Sequence, residues 1–223
     1  TVPRGGESGW PSNSIDQFFL RRMELANLRP SARADDEKLL RRVCFDLLGL
    51  PPTSGQRELF LSDRRPGAWS RLVERLLADP HMGERWGRHW LDVVRFAESY
   101  GFEHDLDNKN AYHFRDFVIR AFNDDMPFDR FVRWQLAGDE LAPVDPLARM
   151  ATGFLAAGVH NADIAKVRVE QERYDELDDL VNTVGTSLLG LSVGCARCHD
   201  HKFDPISQEE YYRFVAIFER TVR

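Results

Sequence analysis

The chain has 223 residues, 43% of them hydrophobic, including fifteen Phe and five Trp, which is enough apolar material for one large domain or two small ones. Its formal net charge of −6, from 30 basic and 36 acidic residues, argues against a nucleic-acid-binding surface. No run approaches the roughly 20 apolar residues that a membrane-spanning helix needs.

Residues 1–13 are polar and rich in Gly and read as an extended segment, not as a signal peptide. A mature exported protein or an excised domain would lack a signal as well. From residue 14 the periodicity is helical almost throughout. Ile15, Phe18, Phe19 and Met23 predict a first helix with Ser14 as its cap. Leu39, Leu40, Val43 and Leu47 predict a second, stopped by Gly49 and Pro51-Pro52. A small helix is expected around Glu58 and Leu61. Trp69, Leu72, Val73, Leu76 and Leu77 mark the next, closed by Asp79-Pro80.

Met82, Trp86, His89, Trp90, Val93 and Ala97 follow at three- and four-residue steps, which sets a histidine in an apolar helix face. Phe114, Phe117, Val118, Ala121 and Phe122 make another stripe. Asp125 and Pro127 open a helix carrying Phe128, Phe131, Val132 and Leu136, and a short one is expected over residues 146–156. Tyr174, Leu177, Leu180, Val181, Val184, Leu188 and Leu191 predict one long helix. Ser207 and Glu210 form a capping box for the last, with Tyr211, Phe214, Val215 and Phe218 inward. No alternating strand, internal repeat or low-complexity linker interrupts this pattern. The expected fold class is all-α, one multi-helix domain over residues 14–223 around a cofactor pocket. Two helical lobes around a cofactor are the alternative.

The long predicted helix leads to Cys195-Ala196-Arg197-Cys198-His199, the Cys-x-x-Cys-His signature of covalent c-type haem. Two thiols three residues apart on one helical turn can add across two vinyl groups of one macrocycle. His199, next in the chain, can reach the iron from the same side as its proximal ligand. Two other chemistries use Cys-x-x-Cys. A thioredoxin-like pair needs a strand before it, where a helix is expected here. Zinc needs four ligands, and Cys195, Cys198 and His199 or His201 supply three. The third cysteine, Cys44, sits in the second helical stripe and reads as a buried structural thiol.

The iron's sixth position decides between carrier and catalyst. His89 is the leading candidate for it, because a buried imidazole between Trp86 and Trp90 needs a partner. His160 is a weaker one; His113 and His104 are weaker still, and Met82, Met126 and Met150 read mainly as core filling. His201 and Lys202 are placed to approach a haem propionate or an open side of the pocket. The loop over residues 103–110 holds Glu103, Asp105 and Asp107 but lacks the central Gly and distal Glu of a calcium loop. Glu170, Glu172, Asp175 and Glu176 read as an exposed helical face.

Several segments together resemble a known family. They include Phe45-Asp46-Leu47-Leu48-Gly49-Leu50-Pro51-Pro52-Thr53, Arg88-His89-Trp90-Leu91-Asp92 and Gln135-Leu136-Ala137-Gly138-Asp139-Glu140-Leu141. The closing segment, Gly194-Cys195-Ala196-Arg197-Cys198-His199-Asp200-His201-Lys202-Phe203-Asp204-Pro205, is the most specific. The chain is similar over residues 14–218 to the second, uncharacterised planctomycete-type cytochrome c domain. That resemblance implies one module of a longer, exported polypeptide, periplasmic or at the cell surface. It also implies an electron donor or acceptor domain in the same chain and a link to polysaccharide oxidation.

The expected function is therefore a c-type haem electron-transfer module, with haem c absent from material made without a maturation system. The alternatives are a catalytic haem domain with an open sixth position, acting on a carbohydrate or peroxide, and a non-redox interaction module with a structural zinc at the Cys-x-x-Cys.

Overall fold

The computed structural model describes residues 10–101, 105–160 and 169–221. Most of residues 1–13, together with Glu103 and His104, lies outside them. Among the described residues the named elements are all helices, and the single β feature is an isolated bridge between Ser99 and Asp107.

The amino-terminal helices run α1 (Ser14–Leu25), α2 (Asp36–Leu48), α3 (Ser54–Ser62) and α4 (Ala68–Leu77). The cap of α1 is Asn13, not Ser14: its side chain accepts from the N–H groups of Ile15 and Asp16. Gly49 ends α2 in the left-handed region, as its position predicted. The small third helix is longer than the apolar stripe suggested, because Thr53 and Gln56 build a reciprocal capping box ahead of it. Leu40, Cys44, Leu48, Phe60, Leu72 and Leu76 close a first core among α2, α3 and α4, and Cys44 is buried there as expected.

Helices α5 (His81–Val93), α6 (Tyr112–Asn123), α7 (Phe128–Leu141), α8 (Pro146–Ala151), α9 (Gly153–Ala156), α10 (Val169–Val184) and α11 (Gln208–Ile217) enclose a larger core around Phe117, Val118, Phe131, Phe154 and Val181. Met82, on α5, also packs against the first core, so α5 touches both. The stretch expected as one short helix over residues 146–156 is broken at Thr152 into α8 and α9.

The inward face of α5 differs from the expected one. Gly83, Gly87 and Leu91 are buried, while Trp86 and His89 are exposed. The reason is how closely α5 packs on α6: a Cβ at Gly83 would lie 2.4 Å from the Ile119 carbonyl oxygen. A stripe of small residues buries this face where large ones would hold the helices apart. Gln135 is a second unforeseen anchor. It is 1% exposed, accepts from Trp90 Nε1 at 2.7 Å and donates to the Phe131 carbonyl at 2.9 Å, which ties α7 to α5. Two residues on, Ala137 breaks the helical backbone of α7, and Gly138 packs against Ala148 of α8.

Gly83→Ala should destabilise the protein by about 1–3 kcal/mol, since the intruding methyl meets main chain. Urea unfolding tests this, and a loss below about 0.5 kcal/mol would mean that α5 and α6 separate freely.

Candidate functional site

The Cys-x-x-Cys-His segment does not continue the helix before it. The α-helical part of α10 ends at Val184, and a five-residue π-turn, Gly185–Leu189, follows. Hydroxyls take the carbonyls of the preceding turn: Thr186 donates to Asn182 and Ser187 to Thr183. Gly190 then adopts the left-handed conformation with φ 66°, and the chain turns into a short 3₁₀ helix, Val193–Arg197. The 3₁₀ turn ends at Arg197 and Cys198 caps it, so the two cysteines stand at either end of a single tight turn.

The 3₁₀ turn has an inner and an outer side. Val193 and Ala196 belong to the main core, while Cys195, Cys198 and His199 are exposed, and both thiols are free. One face of α10, carrying Asp175, Asp178 and Asn182, receives the turn. Arg197 Nη2 donates to Asp175 at 2.6 Å and Nη1 donates to Asp178 at 3.0 Å. Gly194 lies so near Asn182 that a Cβ there would meet its side chain at 2.1 Å. From α11, Gln208 Nε2 and the Tyr212 hydroxyl both donate to the Arg197 carbonyl, at 3.1 and 3.2 Å. The buried Tyr211 hydroxyl donates to the remaining oxygen of Asp178. Arg197 is thus held through both its side chain and its main chain. Its guanidinium, with Gln171 beside it, keeps the Asp175 carboxyl below the usual carboxylate range. Burial, then the bond to Asp178, pushes the Tyr211 phenol up.

The two histidines of this segment differ. His199 is exposed and its Nδ1 lies 2.8 Å from its neighbour's carbonyl, Asp200 O. Only a protonated Nδ1 can donate there, so Nε2 keeps its lone pair for a metal. The side chain of His201 is 6% exposed. Its Nδ1 accepts the N–H groups of Phe203 and Asp204 at 3.2 and 2.8 Å, and its Nε2 lies 3.3 Å from Ser192 Oγ. Because Nδ1 is an acceptor, its 3.5 Å approach to Asp204 is not an ion pair. His201 is a staple that joins the segment before the motif to the loop after it. Lys202 is exposed and lies over the ring of Phe203, which is itself 82% exposed; Leu189 and Leu191 are exposed ahead of the motif.

The other candidate residues lie elsewhere. The motif packs on α10 and α11, whereas α5 packs on α2 and α6. His89 rests its ring edge-on to Trp86 at 5.6 Å and is exposed, so the burial expected for it does not occur. His113 lies against Tyr112 with the two rings tilted by 34°, and His160 bonds Glu176 of α10. Asp175 is exposed, as expected, and pairs with Arg197, whereas Glu176 is half-buried against His160 and Arg173. Among the described residues, no group of three or more His, Cys, Asp or Glu side chains could hold a metal ion. No helix there is long and apolar enough to cross a membrane. The roles of Arg197, Asp178 and Tyr211 escaped sequence reasoning; a basic residue inside Cys-x-x-Cys, with acids one to two turns apart upstream, is the only hint of them.

The family described as "PSCyt2: Protein of unknown function (DUF1549)" matches residues 14–223, and the chain belongs to it. No curated protein and no solved structure matches it.

Arg197→Leu should lower stability at neutral pH by about 1–2 kcal/mol, since it removes the ionic partner of Asp178. The Asp175 carboxyl, lowered in the fold, contributes its share above the ordinary carboxylate range and loses it as the pH falls through the lowered value. Urea titrations should therefore show the gap between wild type and variant shrinking below about pH 4. A gap independent of pH would mean that Arg197 acts through packing alone.

Proposed function

We propose that this DUF1549 member is a c-type haem module that passes single electrons, with Cys195 and Cys198 holding the cofactor and His199 as its proximal ligand. The observation that carries this reading is the exposed 3₁₀ turn. It offers two free thiols three residues apart and an imidazole whose Nδ1 is committed to a carbonyl. The donor chemistry fits the group. Each thiol would add across a vinyl group, forming a C–S bond while the thiol hydrogen goes to the neighbouring carbon, with no oxidant consumed. His199 would donate its Nε2 lone pair to iron. When bound, haem supplies reversible one-electron chemistry.

The protein's own part is placement. Arg197, fixed to α10 and α11, keeps the turn outward, and the His201 staple supports the loop that carries Lys202 and Phe203. Lys202 is free to pair with a carboxylate at the edge of the macrocycle. Exposed Leu189, Leu191 and Phe203 give apolar surface next to the thiols. An electron partner, whether a further domain or a separate protein, would meet this face. The proposal includes export, because thioether haem is attached outside the cytosol.

Expression with a cytochrome maturation system should yield protein heavier by one haem, with a reduced-minus-oxidised spectrum of c type. Cys195→Ser with Cys198→Ser should abolish covalent haem. His199→Ala should keep some attachment but change the iron's spin state. Wild-type protein without haem absorbance after such expression would sink the proposal.

A further inference from the structure

A second concavity lies apart from the motif: none of Cys195, Cys198 or His199 lines it. A cleft of about 1110 Å³ opens between the segment after α5, the carboxyl end of α7, helices α8 and α9 and the turn before His160. That is slightly above the range, about 300–1,000 Å³, in which small-molecule and cofactor sites fall. Phe96, Leu136, Met150 and Leu155 give it half-buried apolar walls. Arg149 and Arg220 also line it, and both are exposed. No ion pair engages either guanidinium among the described residues.

His160 lines the same cleft and is held in three ways. Its Nδ1 lies 2.5 Å from Glu176 Oε1, its main-chain N–H donates to the Tyr100 carbonyl at 2.9 Å, and its ring sits 5.6 Å from that of Tyr100. Glu176 is in turn fixed by Arg173, 3.4 Å away. A carboxylate on Nδ1 places the ring proton there and leaves Nε2 as a lone-pair donor, the arrangement that orients metal-binding histidines.

The cleft lacks the donors for a bare ion, since no group of three or more metal-binding side chains is assembled among the described residues. A single oriented imidazole suffices only if the metal arrives with its other ligands. A metalloporphyrin brings four nitrogens of its own. It needs an axial base, apolar walls for its faces and cations for its carboxylates. Asp139 and Glu140, also on the lining, are exposed and can stay hydrated beside it.

We propose that this cleft binds a metalloporphyrin of the haem class non-covalently, with His160 Nε2 as an axial ligand. The site is separate from the Cys195–Cys198 turn and stands whether or not that turn carries haem.

The test removes the covalent site. The Cys195→Ser/Cys198→Ser chain, its folding checked by circular dichroism, is titrated with ferric protoporphyrin IX and followed by the Soret band. Saturation at one equivalent is expected. His160→Asn in the same background keeps a donor for Glu176 but removes Nε2, so it should unfold at a similar temperature and bind at least tenfold more weakly. Three results would overturn the proposal: no saturation at one equivalent, equal affinity in the His160→Asn chain, or metal-free protoporphyrin binding as tightly as the iron form. None of these bears on covalent haem in wild-type protein made with a maturation system.

Discussion

The arrangement of the candidate site depends on one residue, Arg197, in the middle of the Cys-x-x-Cys spacing. Its guanidinium spans Asp175 and Asp178 of α10, and its carbonyl takes two donors from α11. A 3₁₀ turn has weak internal hydrogen bonding and does not hold its own orientation. Here the orientation comes from outside, from two helices that are part of the main core. Ala196 is drawn inward and the thiols on either side are turned outward. The charges are only partly buried, so their strength comes from sharing: Asp178 serves both Arg197 and Tyr211.

Helix α10 does this work on one face while it builds the core on another. Leu177, Leu180, Val181 and Val184 are buried. Asp175, Asp178 and Asn182 receive the motif; Glu176 holds His160, and Asp179 pairs with Arg95 at the end of α5. The two clusters of chemical interest therefore hang from neighbouring carboxylates of a single rigid element. The α5–α6 pair and the Gln135 bridge to α7 complete the frame behind them.

Much of this was legible in sequence. The helices appear where apolar residues recur at three- and four-residue steps, and the Gly49 stop and the Ser207–Glu210 capping box fall where local chemistry puts them. These signals are local, so they survive without tertiary knowledge. The misreading of α5 has an equally physical cause. A periodic stripe of Trp and His looks like a core face, but where helices pack closely they bury glycine: Met82 and Trp90 still pack on the cores, while Trp86 and His89 are left outside. Gln135 was missed because polarity hides a residue whose hydrogen bonds are made only by a distant helix.

The sequence by itself determined the helical class, the family and the identity of the reactive groups: two thiols three residues apart, with a histidine next to them. Only the tertiary structure decided how they are presented. It exposed the thiols, because Arg197 could find its carboxylates only once α10 was folded against the turn. It committed His201 to its own loop while leaving His199 one free nitrogen. It also placed His160 against Glu176 in a cleft far along the chain from the motif. Which nitrogen is available depends on the partner of the other, and that partner is chosen by packing.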